Sequence, residues 1–215
     1  AWRLFADPDS AGRMVVGTTD EIYLSIDGGA TFTSVYTYTG TINVGQKKGL
    51  HVAGAHFDGS NIYVGTNAGL LVSTNGGAFQ PVAVGGIPAA EAIFSFAGAT
   101  GLDANGNAVT RLWAMTITAS SVLTPIDPNF NFATYQNLYS LDVGQANWTV
   151  NTTGMSATTD LLFVATAPHD INTAYVAGQE NLFSVYVGKY DAATGTWTSQ
   201  FNTKVANNNV ETGYG

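Results

Sequence analysis

Four ionisable residues stand at the starts of apolar stretches in a chain that carries few charges. They are Arg3, His51, Glu91 and Asp160. Only 10% of the 215 residues are charged, so ionisable side chains at equivalent places in the chain are informative. Ionisable groups that converge in a concavity mark binding and catalytic sites. Glu91 and Asp160 are candidate acid and base groups, and Arg3 and His51 are candidate substrate ligands. The simpler alternative is that solvated strand ends tolerate charge.

A second candidate set lies in the long polar segment 118–136, which contains Asp127, Phe130, Phe132 and Tyr135. Loops of this length in compact domains are usually functional or mobile. Aromatic rings beside Asn and Asp suit sugars, whose C–H faces pack on the rings while their hydroxyls form hydrogen bonds. The alternative is that these aromatic residues only fold the loop onto the protein.

Lys47 and Lys48, together with His51, form the basic cluster of the sequence. Such a cluster could bind a carboxylate, for example that of a uronic or sialic acid. A solvated loop is the alternative interpretation.

The elements that must position these residues follow from an internal repeat. Residues 14–35 (MVVGTTDEIYLSIDGGATFTSV) align with residues 62–82 (IYVGTNAGLLVSTNGGAFQPV) at an offset of 48 with one deletion, and Arg3 then corresponds to His51. Two weaker copies cover 111–150 and 174–200, and an aromatic residue, Trp148 or Trp197, closes each. Each unit contains short Val-, Ile-, Tyr- and Phe-rich stretches between turn residues, which indicates strands.

Four strands in each repeat of about 45–50 residues predict an all-β protein with the β-propeller fold. A β-sandwich is the alternative, but it gives no reason for a turn motif to repeat in register. We expect one propeller domain or propeller segment over 1–215, with a polar tail over 202–215. The four expected blades are 2–36, 50–83, 91–151 and 160–201. Four blades are few for a closed ring, so we expect further blades from the same chain or from a partner chain.

The turn SIDGGATF has residue types that each serve a structural purpose. Asp27 can accept hydrogen bonds from the amides of the turn, and Ser25 can add a hydroxyl bond. Gly28 and Gly29 allow positive φ angles, and Phe32 covers the turn. We therefore expect this motif to be structural and not a ligand site.

This stretch resembles the Asp-box, or BNR repeat, of the form S-x-D-x-G-x-T-W/F. A degenerate copy consists of Ser73, Asn75, Gly76, Gly77 and Phe79. Residues 2–83 are similar to repeats of sialidases, xyloglucan-active glycosidases, sortilin-type receptors and photosynthetic assembly factors. The resemblance implies a propeller whose Asp-boxes lie at the periphery, away from the working face. It does not imply an activity, because one fold serves many functions.

Several kinds of site are not supported by the sequence. A sialidase holds its substrate carboxylate with three arginines, but Arg13 and Arg111 fall at the edge opposite to Arg3 in the expected blades. There is no cysteine, and no metal-ligand or cofactor-binding motif is present. His56 and His169 are expected at the surface near turns.

The charge balance limits the classes of partner. A net charge of −8 repels phosphate backbones, so nucleic acid is not expected as a partner. No apolar run reaches the ~20 residues of a membrane-spanning helix. The absent initiator Met suggests a mature product or a fragment, and Asn147 and Asn151 head glycosylation triplets.

The function that we expect is that of a secreted Asp-box propeller that binds or cleaves a carbohydrate chain, free or on a glycoprotein. As an enzyme it would be a glycoside hydrolase or a polysaccharide lyase. The alternative is a non-catalytic lectin or a sortilin-like scaffold for protein interaction.

Overall fold

The computed structural model describes residues 3–40, 49–103, 105–122, 135–180 and 184–203. These residues form four antiparallel sheets of four strands each, in which every strand pairs with its neighbours in the chain. We call the sheets blade one to blade four.

The strands follow one another with short turns. Blade one contains β1 (Arg3–Ala6), β2 (Met14–Gly17), β3 (Glu21–Ser25) and β4 (Thr33–Thr37). Blade two contains β5 (Val52–Asp58), β6 (Asn61–Thr66), β7 (Gly69–Thr74) and β8 (Gln80–Pro81). Blade three contains β9 (Glu91–Leu102), β10 (Ala108–Thr118), β11 (Tyr135–Asp142) and β12 (Thr149–Val150). Blade four contains β13 (Thr159–Ala167), β14 (Asp170–Glu180), β15 (Ser184–Asp191) and β16 (Thr196–Thr203).

The predicted propeller architecture is confirmed at the level of strands. All sixteen expected strands form, and segment 87–96, which has the nearest approach to a helical pattern, enters a strand at Glu91. The fourth strands of blades two and three are only two residues long, shorter than expected. Within the described residues, no helix is long and apolar enough to cross a membrane.

The blades stack on one another through apolar clusters that lie between neighbouring sheets. One cluster joins blades one and two, a second joins blades two and three, and a third joins blades three and four. An aromatic residue before or at the start of the fourth strand enters each cluster: Phe79, Trp148 and Trp197 respectively. The aromatic residue that closes each repeat therefore fastens its blade to the preceding blade.

The first strands of the blades run side by side and approach one another closely. A β-carbon added to Gly54 of β5 would lie 2.0 Å from the Phe96 carbonyl oxygen of β9. The Thr166 hydroxyl of β13 donates a hydrogen bond of 2.5 Å to the Gly98 carbonyl of β9. Glycine is needed at Gly54 because any side chain there would collide with the backbone of the next blade.

The turn of blade one has the hydrogen bonds that its residue types predict. Asp27 Oδ1 accepts from the Thr31 amide at 2.9 Å, and Oδ2 accepts from the Thr31 hydroxyl at 2.6 Å. Ser25 donates its hydroxyl to Asp27 at 2.8 Å and accepts from the Gly29 amide at 2.9 Å. The Thr31 hydrogen bonds and then that of Ser25 lower the pKa of Asp27 to about 2. Gly28 and Gly29 both have positive φ, at 74° and 87°.

The corresponding turn of blade two is built differently. Asn75 and Gly76 have φ values of 54° and 71°, and the Gly77 amide donates to the Thr74 carbonyl at 3.1 Å. This is the two-residue Asn-Gly hairpin, in which both central residues have positive φ. Ser73 donates its hydroxyl to the Gly77 carbonyl at 2.6 Å. Asn75 thus contributes its backbone conformation to the turn and does not repeat the side-chain contacts of Asp27.

Candidate functional site

The first strands of all four blades begin at the same edge of the molecule, which we call the start edge. Arg3 opens β1, His51 directly precedes β5, Glu91 opens β9 and Asp160 is the second residue of β13. Further along, the same strands line one cavity of about 320 Å³. The four predicted ionisable residues therefore lie along one arc, each supplied by a different blade.

Arg3 is half-buried between blades one and two. Its Nη1 donates a hydrogen bond of 3.2 Å to the Ala53 carbonyl of the neighbouring blade. Burial lowers the pKa of Arg3, and no carboxylate in the described part of the chain forms an ion pair with it. No described residue accepts from the other N–H groups of this guanidinium, so they suit an oxygen-rich ligand.

Arg3 does not correspond to His51, contrary to the prediction from the repeat. Gly17 and Gly65 are equivalent at the offset of 48, and they pair with Arg3 and Gly54 respectively. A register shift between Val52 and Gly54 displaces the first strand of blade two. His51 therefore lies further toward the start edge than Arg3.

His51 joins blade two to blade three. Its Nε2 lies 3.1 Å from the Phe94 carbonyl, and its ring stacks on the Phe94 ring with centroids 5.1 Å apart. Burial lowers the pKa of His51, the hydrogen bond to Phe94 opposes this, and nearby Arg3 lowers the pKa further. In the neutral form Nε2 must carry the proton to donate to the carbonyl, which leaves Nδ1 as an acceptor. Asn67 fixes the backbone here by accepting from the His51 amide at 2.8 Å.

Glu91 is held by three side-chain donors of its own blade. Oε2 accepts from the Thr116 hydroxyl at 2.6 Å and from the Tyr139 hydroxyl at 3.0 Å, and Oε1 accepts from Asn137 Nδ2 at 3.1 Å. Burial and then the hydrogen bond to Glu91 raise the pKa of Tyr139. All three contacts present Glu91 as a hydrogen-bond acceptor with a fixed orientation.

The three donors to Glu91 were not among the residues that the sequence singled out. A bulge between Met115 and Thr116 in the pairing of β9 with β10 brings Thr116 to the side of the sheet where Glu91 lies. Asn137 and Tyr139 alternate along β11, so the period of two places them on a common face. That alternation was a usable signal, whereas the bulge was not visible in the sequence.

Tyr135 opens β11 of blade three, and Asp160 is the second residue of β13 in blade four. The Tyr135 hydroxyl is buried and has no hydrogen-bond partner among the described residues. Burial raises the pKa of Tyr135, and Tyr139, Glu91 and Asp160 raise it further in that order. Glu91 and Tyr135 nevertheless lie on different faces of blade three: Glu91 bonds to Tyr139 of the cluster shared with blade two, and Tyr135 packs against the cluster shared with blade four. The Thr159 hydroxyl, beside Asp160 in the chain, is also buried, with no hydrogen-bond partner in the part of the chain that the structure describes.

Five of the predicted substrate-binding residues lie outside the described residues. These are Lys47, Lys48, Asp127, Phe130 and Phe132. The structure does show that β10 ends at Thr118, that a short 3₁₀ turn follows over Ala119–Ser121, and that β11 begins at Tyr135. The described residues on either side of this segment, at the end of β10 and the beginning of β11, lie at the start edge.

The opposite edge carries charges that are paired with one another. Arg13 donates to Asp7 at 2.6 Å, and Arg111 makes a two-pronged ion pair with Asp142 at 2.7 and 2.9 Å. These two arginines therefore do not join Arg3, as predicted. No group of three or more His, Asp or Glu side chains in the described part of the chain is arranged to hold a metal ion.

The prediction that His56 lies at the surface is wrong. Its side chain is buried, and its Nε2 lies 2.9 Å from the Thr100 hydroxyl of blade three. A β-carbon added to Gly98 would lie 2.5 Å from His56 Cγ, so the imidazole occupies space that this glycine leaves open. His169, by contrast, is exposed and lies 3.2 Å from Asp9.

Comparison with known proteins gives a fold and no family. No protein-family model and no curated protein matches the sequence. Among solved structures, an ancestral GH74 enzyme aligns with 94% of this chain at 17% identity and a TM-score of 0.62. An α-L-arabinanase of Penicillium chrysogenum in complex with arabinobiose aligns with 92% at 11% identity and a TM-score of 0.49. YCF48 bound to a D1 peptide aligns with 92% at 11% identity and a TM-score of 0.36.

Each alignment covers nearly all of this chain but a smaller share of the other protein. The chain spans 28% of the GH74 enzyme, 63% of the arabinanase and 69% of YCF48. At 17% identity the likeness to the GH74 enzyme concerns the path of the backbone only. Together with the four antiparallel four-stranded sheets, it shows that the chain has the β-propeller fold.

Proposed function

We propose that the protein binds a carbohydrate chain at the start edge, and that Arg3, His51, Glu91 and Asp160 contact it. The observation that carries this proposal is that Glu91 and Asp160 lie at the starts of the first strands of neighbouring blades, where three side-chain donors fix the orientation of Glu91. Carboxylates whose positions are fixed by the fold are suitable acceptors for sugar hydroxyls. The GH74 enzyme with the same fold supports the proposal only as an analogy.

Arg3 indicates that an acidic sugar is the preferred ligand. In a protein of net charge −8, a half-buried guanidinium with no ion-pair partner among the described residues favours the approach of a carboxylate to this point. Asp160, whose carboxylate receives no hydrogen bond from the described residues, is then the group that remains free to interact with a sugar hydroxyl or a glycosidic oxygen.

Cleavage is the catalytic form of the same proposal. In glycoside hydrolysis one carboxylic acid protonates the leaving oxygen, and a second carboxylate activates water or attacks the sugar. Glu91, which three donors hold as an acceptor, suits the role of the carboxylate. Asp160 would supply the second carboxyl group. The alternative is a lectin or an interaction scaffold, in which Glu91 only orders the edge of blade three.

We further propose that the turn at Asp27 is an Asp-box of a secreted protein. The four hydrogen bonds between Ser25, Asp27, Gly29 and Thr31 support a structural role for the motif. Detection of the protein outside cells that express its full gene would test the location.

The experiment combines binding to a glycan array with the release of reducing ends from acidic polysaccharides. We expect Glu91→Gln and Asp160→Asn to weaken binding about tenfold or more, since charge-assisted hydrogen bonds contribute ~1.5–3 kcal/mol each. Asp170→Asn is the matched control, because Asp170 lies at the opposite edge and Asn keeps an acceptor for the Asn172 amide.

The outcomes separate the alternatives. Binding with release that both variants abolish supports hydrolysis, and binding without release supports a lectin. If no acidic or neutral glycan binds to the folded protein, the carbohydrate proposal is overturned and the scaffold is favoured.

A further inference from the structure

Blade one has an apolar face that no apolar cluster among the described residues covers. We use the term leading face for the side of a blade toward the preceding blade and trailing face for the side toward the following blade. Val15, Ile22 and Leu24 of blade one pack on blade two and thus belong to its trailing face. Because side chains alternate along a strand, Met14, Val16 and Tyr23 belong to its leading face.

The leading face of blade one has the composition of a buried surface. Its residues correspond through the repeat to residues of blade two, at an offset of 48 for the strands and 47 for the closing aromatic residue. The pairs are Met14 with Ile62, Val16 with Val64, Tyr23 with Leu71, and Phe32 with Phe79. The four residues of blade two are at most 2% exposed, because blade one covers them.

Of the same positions in blade one, Phe32 is exposed and Met14, Val16 and Tyr23 are half-buried. Phe32 is 42% exposed, although Phe79, Trp148 and Trp197 in the equivalent places are all buried. Leu4, which alternates with the packed Phe5, is 61% exposed. Blade one therefore keeps the residues of an interface at a place where the described part of the chain supplies no partner.

Blade four has the complementary feature on its trailing face. Tyr175 stands between Ala174 and Val176, which pack on blade three, so Tyr175 points away from that blade. Tyr63 and Trp113 hold equivalent places in blades two and three and are buried against the next blade. Tyr175 is 41% exposed and Phe163 on the same face is 60% exposed.

We propose that the leading face of blade one packs on the trailing face of blade four in a second copy of this chain. Every interface within the chain joins one trailing face to one leading face. Among the four described blades, one leading face and one trailing face remain without a partner, and the exposure of Leu4 and Phe163 shows that these two faces do not cover each other within one molecule. A second copy supplies both missing partners, and two such contacts related by a twofold axis give a closed pair. This inference is independent of the proposed carbohydrate site.

The test is the mass of the 215-residue chain in solution, measured by size-exclusion chromatography with light scattering. We expect twice the 22.4 kDa of the single chain. Phe32→Asp and Tyr175→Asp should each weaken the pair at least about tenfold, because each places a charge in an apolar contact. Leu102→Asp is the control, since Leu102 is 63% exposed at the end of β9 and belongs to neither face.

Mixing the two variants tests the head-to-tail arrangement. A Phe32→Asp chain keeps an intact blade four, and a Tyr175→Asp chain keeps an intact blade one. In a mixed pair these two intact blades form one native contact. The mixture should therefore contain pairs that neither variant forms alone. Circular dichroism confirms that each variant is folded. A native chain that is monomeric at 100 µM, variants that remain paired, or a mixture that shows no recovery would each overturn the proposal.

Discussion

Replacing Trp197 tests whether the closing aromatic residue of a blade holds neighbouring blades together. The Trp197 ring lies between blades three and four, 5.4 Å from Trp113 and 5.3 Å from Tyr190 by ring centroids. Its Nε1 donates a hydrogen bond of 3.0 Å to the Asn151 carbonyl, in the segment after blade three. Trp197 therefore combines a buried ring with one specific hydrogen bond.

The expected losses can be worked out for two variants. Trp197→Ala removes a buried aromatic side chain and should lower the free energy of unfolding by about 4 kcal/mol. Trp197→Phe keeps a ring but leaves a smaller cavity, at about 1 kcal/mol, and leaves the Asn151 carbonyl without its donor, at about 1 kcal/mol. The phenylalanine variant should therefore lose about half as much as the alanine variant.

The measurement is urea unfolding at 25 °C, followed by far-ultraviolet circular dichroism. Leu102→Ala is the control, and because Leu102 is exposed its effect should stay within ~0.5 kcal/mol. The reasoning is refuted if Trp197→Ala loses less than ~1 kcal/mol. It is also refuted if the two Trp197 variants lose equal amounts, because the packing of the ring would then contribute nothing.

Three further predictions concern backbone space and pH. Gly54→Ala should lower the free energy of unfolding in urea by at least ~2 kcal/mol, because the new β-carbon collides with the Phe96 carbonyl. Gly59→Ala is the comparison: its β-carbon meets open space, and the positive φ alone should cost ~1 kcal/mol. The pKa of Asp27 in the fold, about 2, lies below the ordinary 3.8, so its ionised form stabilises the protein above pH ~4 and this contribution is lost as the pH falls toward 2. Asp27→Asn should therefore flatten the fall in Tm over that range, and an unchanged slope would contradict this. Burial lowers the pKa of His56, so the fold favours the neutral imidazole. The stability that this provides is present above pH 6.5 and is lost as the pH falls below it. His56→Gln should therefore reduce the fall in Tm between pH 6.5 and 5.

The strands could be predicted because each is a local pattern. Alternating apolar residues bounded by Gly, Asn and Asp require no knowledge of distant partners. The Asn75-Gly76 hairpin is equally predictable from the sequence, because this dipeptide favours positive φ at both positions.

The surroundings of the candidate site could not be predicted, because they depend on register and on distant chain segments. Glu91 meets Tyr139 across 48 positions of sequence, and Thr116 reaches Glu91 through a bulge that no local pattern marks. The burial of His56 depends on the missing side chain of Gly98 in another blade. Such contacts arise only when the inner strands are packed together.

The consecutive pairing of strands within each blade has a consequence for how the molecule is made. Every hydrogen-bonded strand partner is adjacent in the chain, and each apolar cluster joins only neighbouring blades. Each blade can therefore pair its strands soon after it leaves the ribosome and then dock on the blade made before it. A destabilising substitution in one blade therefore directly affects at most the two blades beside it. The stability of the chain is then approximately a sum of contributions from single blades and from interfaces between neighbouring blades.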